Sequence, residues 1–215
     1  MVLTTMMKRP GEIQDDDTYR FGGCRFASQL FVAIAGTPIE PPIPDGEEEC
    51  SMVVQAIVEI PQGSQNKCKY DPATGRIGID RVLSTAMHYP ANYGCIPDTW
   101  ADDNDPLDVL IFCSTSLDPG VEVAVRVIGA FFMADEHGPD TKIIGVAQID
   151  PRFDHVQMMA NLGSHRLREV RHFFQEYNAL QGIVTAIGDF HQLPVAVEVI
   201  EHARRSFGAR RTSGD

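Results

Sequence analysis

The sequence predicts an α+β protein that is mainly β, with a small barrel of short strands followed by two C-terminal helices. Across residues 52–149, short runs rich in β-branched residues alternate with turn clusters that contain Gly and Pro. This alternation is typical of small barrels. After Ser164 the apolar residues recur every three or four positions instead, which indicates helices.

The strands are predicted in order from the apolar runs and the turns between them. They cover residues 53–60, 67–70, 76–82, 93–97, 107–113, 121–133, 142–149 and 183–187. The turns contain the residues that favour them, as in Pro61, Gly63, Pro72, Gly75, Pro119 and Gly120.

Two helices are predicted in the C-terminal part. The first covers residues 164–180, with Ser164 as its N-cap. One of its faces carries Leu167, Val170, Phe174 and Tyr177. The second covers residues 194–207 and has Pro194 in its first turn, where proline is tolerated.

Residues 1–50 differ in composition from the rest and are predicted to form an irregular extension with one short strand near residues 30–35. The extension carries two acidic runs and a proline-rich stretch, at residues 15–17, 47–49 and 38–44. Residues 51–215 are predicted to form the folded domain. A secretory signal is not expected, because no positively charged start is followed by an apolar core and a small-residue cleavage site, and the early aspartates oppose a transit peptide.

The net charge of the chain is −12, which disfavours a nucleic-acid binder, since phosphate-backbone binding needs clustered Lys and Arg. The negative charge suits divalent cations, although a merely soluble surface explains the charge equally well. The five cysteines include no Cys-x-x-Cys pair, which favours a reducing compartment and a cytoplasmic location. No apolar run is long enough to span a membrane.

An acidic stretch, residues 102–108, carries the main chemical signal. It places four aspartates directly ahead of an apolar strand. In an extended chain Asp103 and Asp105 would point the same way, and Pro106 would re-aim Asp108. Two like charges ~6 Å apart repel by roughly 3 kcal/mol at an effective dielectric near 20. The stretch is therefore either a solvated acidic turn or a site for a hard cation, for which Mg²⁺ is the natural candidate.

A second acidic stretch lies on a predicted hairpin tip, where Asp135 and Asp140 flank a Gly-Pro turn and can converge. Taken alone, such a tip is usually a polar turn without a chemical role. Cationic and phenolic residues on strand ends and a helix face complete the set: Lys67, Arg81, Lys142, Tyr89, Tyr93 and Tyr177. Carboxylates facing Lys, Arg and Tyr are what a metal-bridged phosphate anhydride requires.

With these residues in view, the chain resembles the family I soluble inorganic pyrophosphatases over residues 52–207. The element Asp103-x-Asp105-Pro106-x-Asp108 is close to the family's signature. Further matches are Asn66-Lys67, Asp80-Arg81, Tyr89-Pro90-x-Asn92-Tyr93-Gly94, Asp135-x-x-Gly138-x-Asp140-x-Lys142 and His172-Phe173-Phe174-x-x-Tyr177.

The resemblance implies a small five-stranded, OB-like closed barrel with flanking helices, and Mg²⁺-dependent hydrolysis of pyrophosphate to two orthophosphates. It implies several Mg²⁺ ions per site, for which Mn²⁺ or Zn²⁺ could substitute, and a homo-oligomer with a hexamer favoured. Its implied metal ligands are Asp103, Asp108, Asp135 and Asp140. Asp105 is the implied general base, with Glu59 and Tyr89 supporting the site. The implied phosphate ligands are Lys67, Arg81, Tyr93, Lys142 and Tyr177.

The chain departs from this pattern at Lys69, where the family usually has a glutamate, and at Asn178, where it usually has a lysine. We hypothesise that Lys69 supplies the positive charge lost at Asn178. Asn104 replaces a common glycine, which asparagine tolerates at positive φ.

Two other functions compete with the enzyme. A catalytically weakened paralogue that binds phosphate compounds or a partner is motivated by Lys69 and Asn178. A nucleic-acid-binding barrel is opposed by the charge and by the lack of an aromatic and basic face.

Overall fold

The computed structural model describes residues 20–21, 24–25, 51–135 and 138–213. The chain divides into two compact units, Met1–Cys50 and Ser51–Asp215. In the first unit, β1 (Arg20–Phe21) pairs antiparallel with β2 (Cys24–Arg25). The strand predicted at residues 30–35 lies outside the described residues, and the assignment of residues 1–50 to an extension stays a prediction.

The second unit holds eight strands, two α-helices and three short 3₁₀ helices within its described residues. The strands are β3 (Met52–Ile60), β4 (Asn66–Asp71), β5 (Arg76–Val82), β6 (Asn92–Cys95), β7 (Asp108–Phe112), β8 (Glu122–Asp135), β9 (Gly138–Ala147) and β10 (Ala186–Gln192). The helices are α1 (Ser164–Glu176) and α2 (Leu193–Ser213), with 3₁₀ turns at Pro151–Phe153, Met159–Leu162 and Ala179–Gln181. The prediction of a mainly β fold with two C-terminal helices is confirmed.

Six strands form one sheet in the order β10-β8-β3-β6-β7-β9, and β9 also pairs with β8. Of these pairings, only that of β7 with β9 is parallel. Strands β4 and β5 form a separate antiparallel hairpin. This arrangement brings the end of β6 and the start of β7 next to β9, where most of the polar side chains described below are gathered.

The two C-terminal helices bury their apolar faces in two different clusters. Val170, Phe173 and Phe174 of α1 pack in a cluster that includes Phe131 of β8. Ile200 of α2, with Ala196 and Ala203, packs against alternate residues of β3, β7 and β8. The predicted inner face of the first helix is therefore confirmed for Val170, Phe174 and Tyr177, which are all buried, while Leu167 is half-buried.

The N-cap of helix α1 lies one residue earlier than the sequence predicts, and the helix ends four residues earlier than predicted. Gly163 occupies the N-cap position, so Ser164 is the first helical residue and not the cap. The helix ends at Glu176, and a 3₁₀ turn follows that terminates at Gly182 in the left-handed region with φ 77°. A glycine there is favoured because it lacks the Cβ that makes this conformation costly.

The last strand and helix also differ from their predicted limits. The strand predicted at residues 183–187 corresponds to β10, which covers Ala186–Gln192. Val184 precedes this strand and is exposed. Pairing with β8 decides the position, because Phe190 lies opposite Phe131 and stacks on it with ring centroids 4.7 Å apart. Helix α2 extends to Ser213. Among the described residues, no helix is both long enough and apolar enough to cross a membrane.

Candidate active site

A cleft of about 300 Å³ lies among β4, β5, β7, β9 and the segment after α1. Ten of the twelve predicted site residues line it: Glu59, Lys67, Arg81, Tyr93, Asp103, Asp105, Asp108, Asp140, Lys142 and Tyr177. Tyr89 is instead packed into the core, and the side chain of Asp135 lies outside the described residues. The structure thus brings most of the predicted set into one place.

Three carboxylates form a compact group at one side of the cleft. Asp103, Asp108 and Asp140 each offer an oxygen, and these oxygens lie within 4.8 Å of one another. Asp108 is the first residue of β7 and Asp140 lies in β9, so the parallel pairing of these strands brings them together. Asp103 comes from the preceding turn.

The turn that carries Asp103 is not extended, so the expectation of an extended chain at these residues is wrong, although Asp103 and Asp105 both line the cleft. Residues 102–105 form a turn and bend, in which Asn104 has φ 67°. The expectation that Asn104 tolerates positive φ is confirmed. The backbone N–H of Asp105 donates to Oδ1 of Asp103 at 3.2 Å. This local bond turns the chain, and the two carboxylates have different partners as a result.

The ammonium group of Lys142 lies between two of the three carboxylates. Its Nζ donates to Asp108 Oδ2 at 2.5 Å and to Asp140 Oδ1 and Oδ2 at 2.5 and 2.6 Å. Burial alone would lower the pKa of Lys142, but the charges of Asp108 and Asp140 outweigh burial and hold that pKa above its ordinary value. Lys142 therefore stays charged and partly neutralises the group.

The carboxylates retain a strong mutual repulsion despite this lysine. Burial, followed by the charges of Asp140 and Asp108, raises the pKa of Asp103 to about 6. All the donor atoms are carboxylate oxygens, which are the hard ligands that Mg²⁺ prefers. The geometry and the chemistry of Asp103, Asp108 and Asp140 therefore fit a hard divalent cation.

The β4–β5 hairpin supplies the opposite, cationic side of the cleft. Lys67 lies directly across from Arg81 in this hairpin, and both approach Asp80, at 3.7 and 2.9 Å respectively. Burial, with the nearby charges of Arg81 and Lys142, lowers the pKa of Lys67. Arg81 Nη2 also donates to Oδ1 of Asn178 at 3.0 Å. Two adjacent cations held in this way suit a phosphate group.

The three tyrosines occupy different depths. The Tyr93 hydroxyl donates to Asp108 Oδ2 at 2.5 Å, so it touches the carboxylate group directly. Tyr177 lines the cleft and stacks on Phe173, with ring centroids 5.3 Å apart. Tyr89 is buried between Tyr93 and Phe173, which supports the wall of the cleft. Burial raises the pKa of all three phenols.

Glu59 lies at the inner wall, at the end of β3. Its Oε1 accepts from the backbone N–H of Tyr70 at 2.6 Å, which ties β3 to β4. Burial raises the pKa of Glu59 to about 7, with a smaller contribution from Asp108, and the Tyr70 bond opposes the rise.

Sequence reasoning missed several contacts in the cleft. Cys68, Cys95 and Gln181 line it but were not predicted to do so. Lys69 was noted as unusual, yet its ion pair with Asp105, 2.7 Å from Nζ to Oδ2, was not foreseen. A signal for Lys69 was present, because residues two apart on a strand share a face and Lys67 was already placed there. Gln181 belongs to a 3₁₀ turn that has no periodic pattern to reveal it.

A sequence model of the inorganic pyrophosphatase family matches residues 56–208 of the chain. The chain belongs to the inorganic pyrophosphatase family. The resemblance to this family is therefore confirmed.

Individual members of the inorganic pyrophosphatase family agree with this assignment. The chain is 44% identical to an inorganic pyrophosphatase of Geobacillus stearothermophilus over 149 residues, which are 69% of this chain and 90% of the relative. It is 38% identical to a soluble inorganic pyrophosphatase of Oryza sativa subsp. indica over 157 residues, 73% of each chain. The crystal structure of the Thermus thermophilus inorganic pyrophosphatase superposes with a TM-score of 0.70 at 38% identity, covering 80% of this chain and 97% of that one.

Proposed function

We propose that the protein is a Mg²⁺-dependent inorganic pyrophosphatase that hydrolyses pyrophosphate to two orthophosphates, with Asp105 as the general base. The observation that carries the proposal is the group Asp103, Asp108 and Asp140, with oxygens within 4.8 Å of one another, facing Lys67 and Arg81 across one cleft. The relatives named inorganic pyrophosphatase support the same activity.

The reaction adds one water across the central P–O–P linkage. The water oxygen forms a bond to one phosphorus, the bond from that phosphorus to the bridging oxygen breaks, and the leaving phosphate takes a proton from solvent, to which Asp105 later returns the proton that it accepts. Asp105 accepts a proton from the attacking water; its half-exposed carboxylate lines the cleft, with Oδ2 held by Lys69. Bound Mg²⁺ would neutralise phosphate oxygens and acidify the water.

The chain's own residues bind and orient the substrate. Lys67 and Arg81 would hold one phosphate on the hairpin side of the cleft, and Tyr93, Lys142 and Tyr177 would complete the phosphate contacts. Asp103, Asp108 and Asp140 would hold the cations, with Asp135 proposed as a further ligand. Glu59 and Tyr89 would support these groups, Glu59 by fixing Tyr70 and Tyr89 by packing on Tyr93.

We also propose that β3, β6, β7, β9 and β8 form the closed, OB-like barrel that the family resemblance implies. The support is that each of these strands pairs with two others of the five. A homo-oligomer, with a hexamer favoured, and a cytoplasmic location likewise stay predictions. Light scattering on the purified chain tests the first. The catalytically weakened paralogue that binds phosphate compounds or a partner is not favoured, because the relatives are named as enzymes.

The test is orthophosphate release from pyrophosphate with and without Mg²⁺. We compare Asp105→Asn with Asp102→Asn, which alters an exposed neighbour that pairs only loosely with His202 at 3.6 Å. Loss of a general base lowers kcat by about 10²–10⁴-fold. We expect that loss in Asp105→Asn and near-normal activity in Asp102→Asn. Release that is independent of Mg²⁺, or normal in Asp105→Asn, contradicts the proposal.

A further inference from the structure

Lys69 reaches the acidic turn from the opposite side of the cleft. It lies in β4, across from Gly78 of β5, and its Nζ is 2.7 Å from Asp105 Oδ2. The side chain of Lys69 is 55% exposed and that of Asp105 39%. Strands β4 and β5 form a sheet of their own. The ion pair links this hairpin to the turn that carries Asp103.

Asp105 stands apart from the carboxylate group although it is only two residues from Asp103. Within the described residues, the close-set oxygens come from Asp103, Asp108 and Asp140, and Asp105 is not among them. Between the two residues the backbone passes through the left-handed region at Asn104, and Asp105 N–H donates to Asp103 Oδ1. The partner of the Asp105 carboxylate is Lys69 instead.

We propose that Lys69 is a positioning residue that keeps Asp105 out of the metal-ligand set and so reserves it to accept a proton. A carboxylate beside a group that fits Mg²⁺ would itself attract a divalent cation. The ammonium of Lys69 competes for the Asp105 oxygen and repels a cation that approaches it. The inference rests on the proposed function, since it takes Asp105 as the base.

Lys69 departs from the family pattern, because the resemblance usually places a glutamate at this position. Replacing a negative charge by a positive one beside Asp105 changes the local charge by two units. A glutamate would add a fifth carboxylate to those of Asp103, Asp105, Asp108 and Asp140, whereas Lys69 withholds Asp105 from metal binding. The idea is separable from charge compensation for Asn178, because compensation acts on the KM for pyrophosphate and positioning acts on kcat and on metal binding.

The first test is Mn²⁺ binding to the metal-free full chain, followed by electron paramagnetic resonance. The variants are Lys69→Gln, Lys69→Arg and Arg76→Gln, of which the last removes an exposed cation from the far end of the same hairpin. We expect Lys69→Gln to bind Mn²⁺ about three- to tenfold more tightly or to bind one ion more, since a screened unit charge is lost nearby. Lys69→Arg and Arg76→Gln should match the unaltered chain.

A double variant shows where the added binding occurs. In Lys69→Gln combined with Asp105→Asn, the gain in Mn²⁺ binding should disappear. A gain that persists overturns the proposal, because Asp105 is then not the group that Lys69 withholds. Unchanged Mn²⁺ binding in Lys69→Gln overturns it as well.

Kinetics supply the second readout. Lys69→Gln should lower kcat by about tenfold with a KM within about twofold of normal, and excess Mg²⁺ should inhibit it at lower concentration. Lys69→Arg should restore kcat. An unchanged kcat in Lys69→Gln overturns the proposal. Failure of the proposed function is distinguished by Asp105→Asn. Normal activity of that variant would show that Asp105 is not the base, whereas the Mn²⁺ result would still test the role of the ion pair.

Discussion

Arg81 and Asn178 are joined by a hydrogen bond of 3.0 Å that links β5 to the segment after α1. Asn178 is buried, so its side chain has little access to water as an alternative partner. In Asn178→Ala we expect a loss of about 1–3 kcal/mol in the free energy of unfolding, since a hydrogen bond to a charged group is removed. We also expect a higher KM for pyrophosphate, because Arg81 is held less firmly. A loss of about 1 kcal/mol in binding corresponds to about fivefold in KM.

The measurements are thermal unfolding and steady-state kinetics, with Gln175→Ala as the control. Gln175 is an exposed residue of α1, close to Asn178 in the chain. A KM that is the same in Asn178→Ala and in Gln175→Ala would show that Arg81 binds substrate without help from Asn178.

The burial of Glu59 is expected to make the free energy of unfolding depend on pH. Its pKa rises from 4.5 to about 7 on folding, because burial disfavours the charged form. The folded state therefore prefers the protonated acid, and this contribution to stability is present below pH 4.5 and is lost as the pH rises to about 7. The size of the loss is about 3 kcal/mol.

Glu59→Gln removes this titration while it keeps an oxygen to accept from Tyr70. We expect the stability of Glu59→Gln, relative to the unaltered chain, to increase between pH 4.5 and 7 and then to stay constant. Urea unfolding of the metal-free protein at several pH values measures the difference. Glu122→Gln, at an exposed site in β8, is the control. A difference that does not vary with pH would mean that Glu59 titrates normally.

Replacement of Asp108 is expected to reduce the stabilisation of the folded chain by Mg²⁺. A ligand at 100 times its Kd stabilises the folded state by about 2.7 kcal/mol, which raises the Tm of a chain of this size by about 5–10 °C. We expect this rise in the unaltered chain and less than about 2 °C in Asp108→Asn, because Asp108 belongs to the carboxylate group and accepts from Tyr93. Asp118→Asn, in an exposed turn, should respond as the unaltered chain does.

Substitution by alanine is expected to destabilise the chain strongly at Gly94 and hardly at all at Gly78. A Cβ at Gly94 would lie 2.0 Å from the carbonyl oxygen of Ile57, whereas a Cβ at Gly78 would meet nothing within 4 Å. We expect Gly94→Ala to lower the free energy of unfolding by more than about 3 kcal/mol, since β3 and β6 must separate. Gly78→Ala should leave it within about 1 kcal/mol. Chemical denaturation of the two variants compares them directly, and equal effects would contradict the close packing of β3 on β6.

The sequence predicted the strands whose limits are decided locally. Strand β5 was placed at residues 76–82, as observed, because the turn at Gly75 precedes it and Ile77 and Ile79 alternate within it. Strand β10 was misplaced because its position depends on its pairing with β8, which is distant in sequence. The end of α1 was overestimated because the apolar period continues into Tyr177, which is buried beyond the helix.

The identity of the site residues was easier to predict than their partners. Ten of the twelve residues lie in one cleft. The acidic stretches and the Lys, Arg and Tyr residues indicated a metal-bound phosphate, and the family resemblance implied Glu59 and the individual roles. The pairings of Asp105 with Lys69 and of Arg81 with Asn178 join residues 36 and 97 positions apart. Contacts at such separations follow from the assembled fold: alternation along β4 indicates the face on which Lys69 lies, but no local pattern indicates that Asp105 is its partner.

Strand β9 is held from both sides, parallel to β7 and antiparallel to β8. In this arrangement Asp108 lies directly across from Lys142. If β9 slipped by one residue, its side chains would change faces and Lys142 would leave the cleft, but a slip would have to break two independent ladders at once. Two ladders therefore fix the alignment of Asp108 with Lys142, and β9 cannot change its registry without losing that alignment.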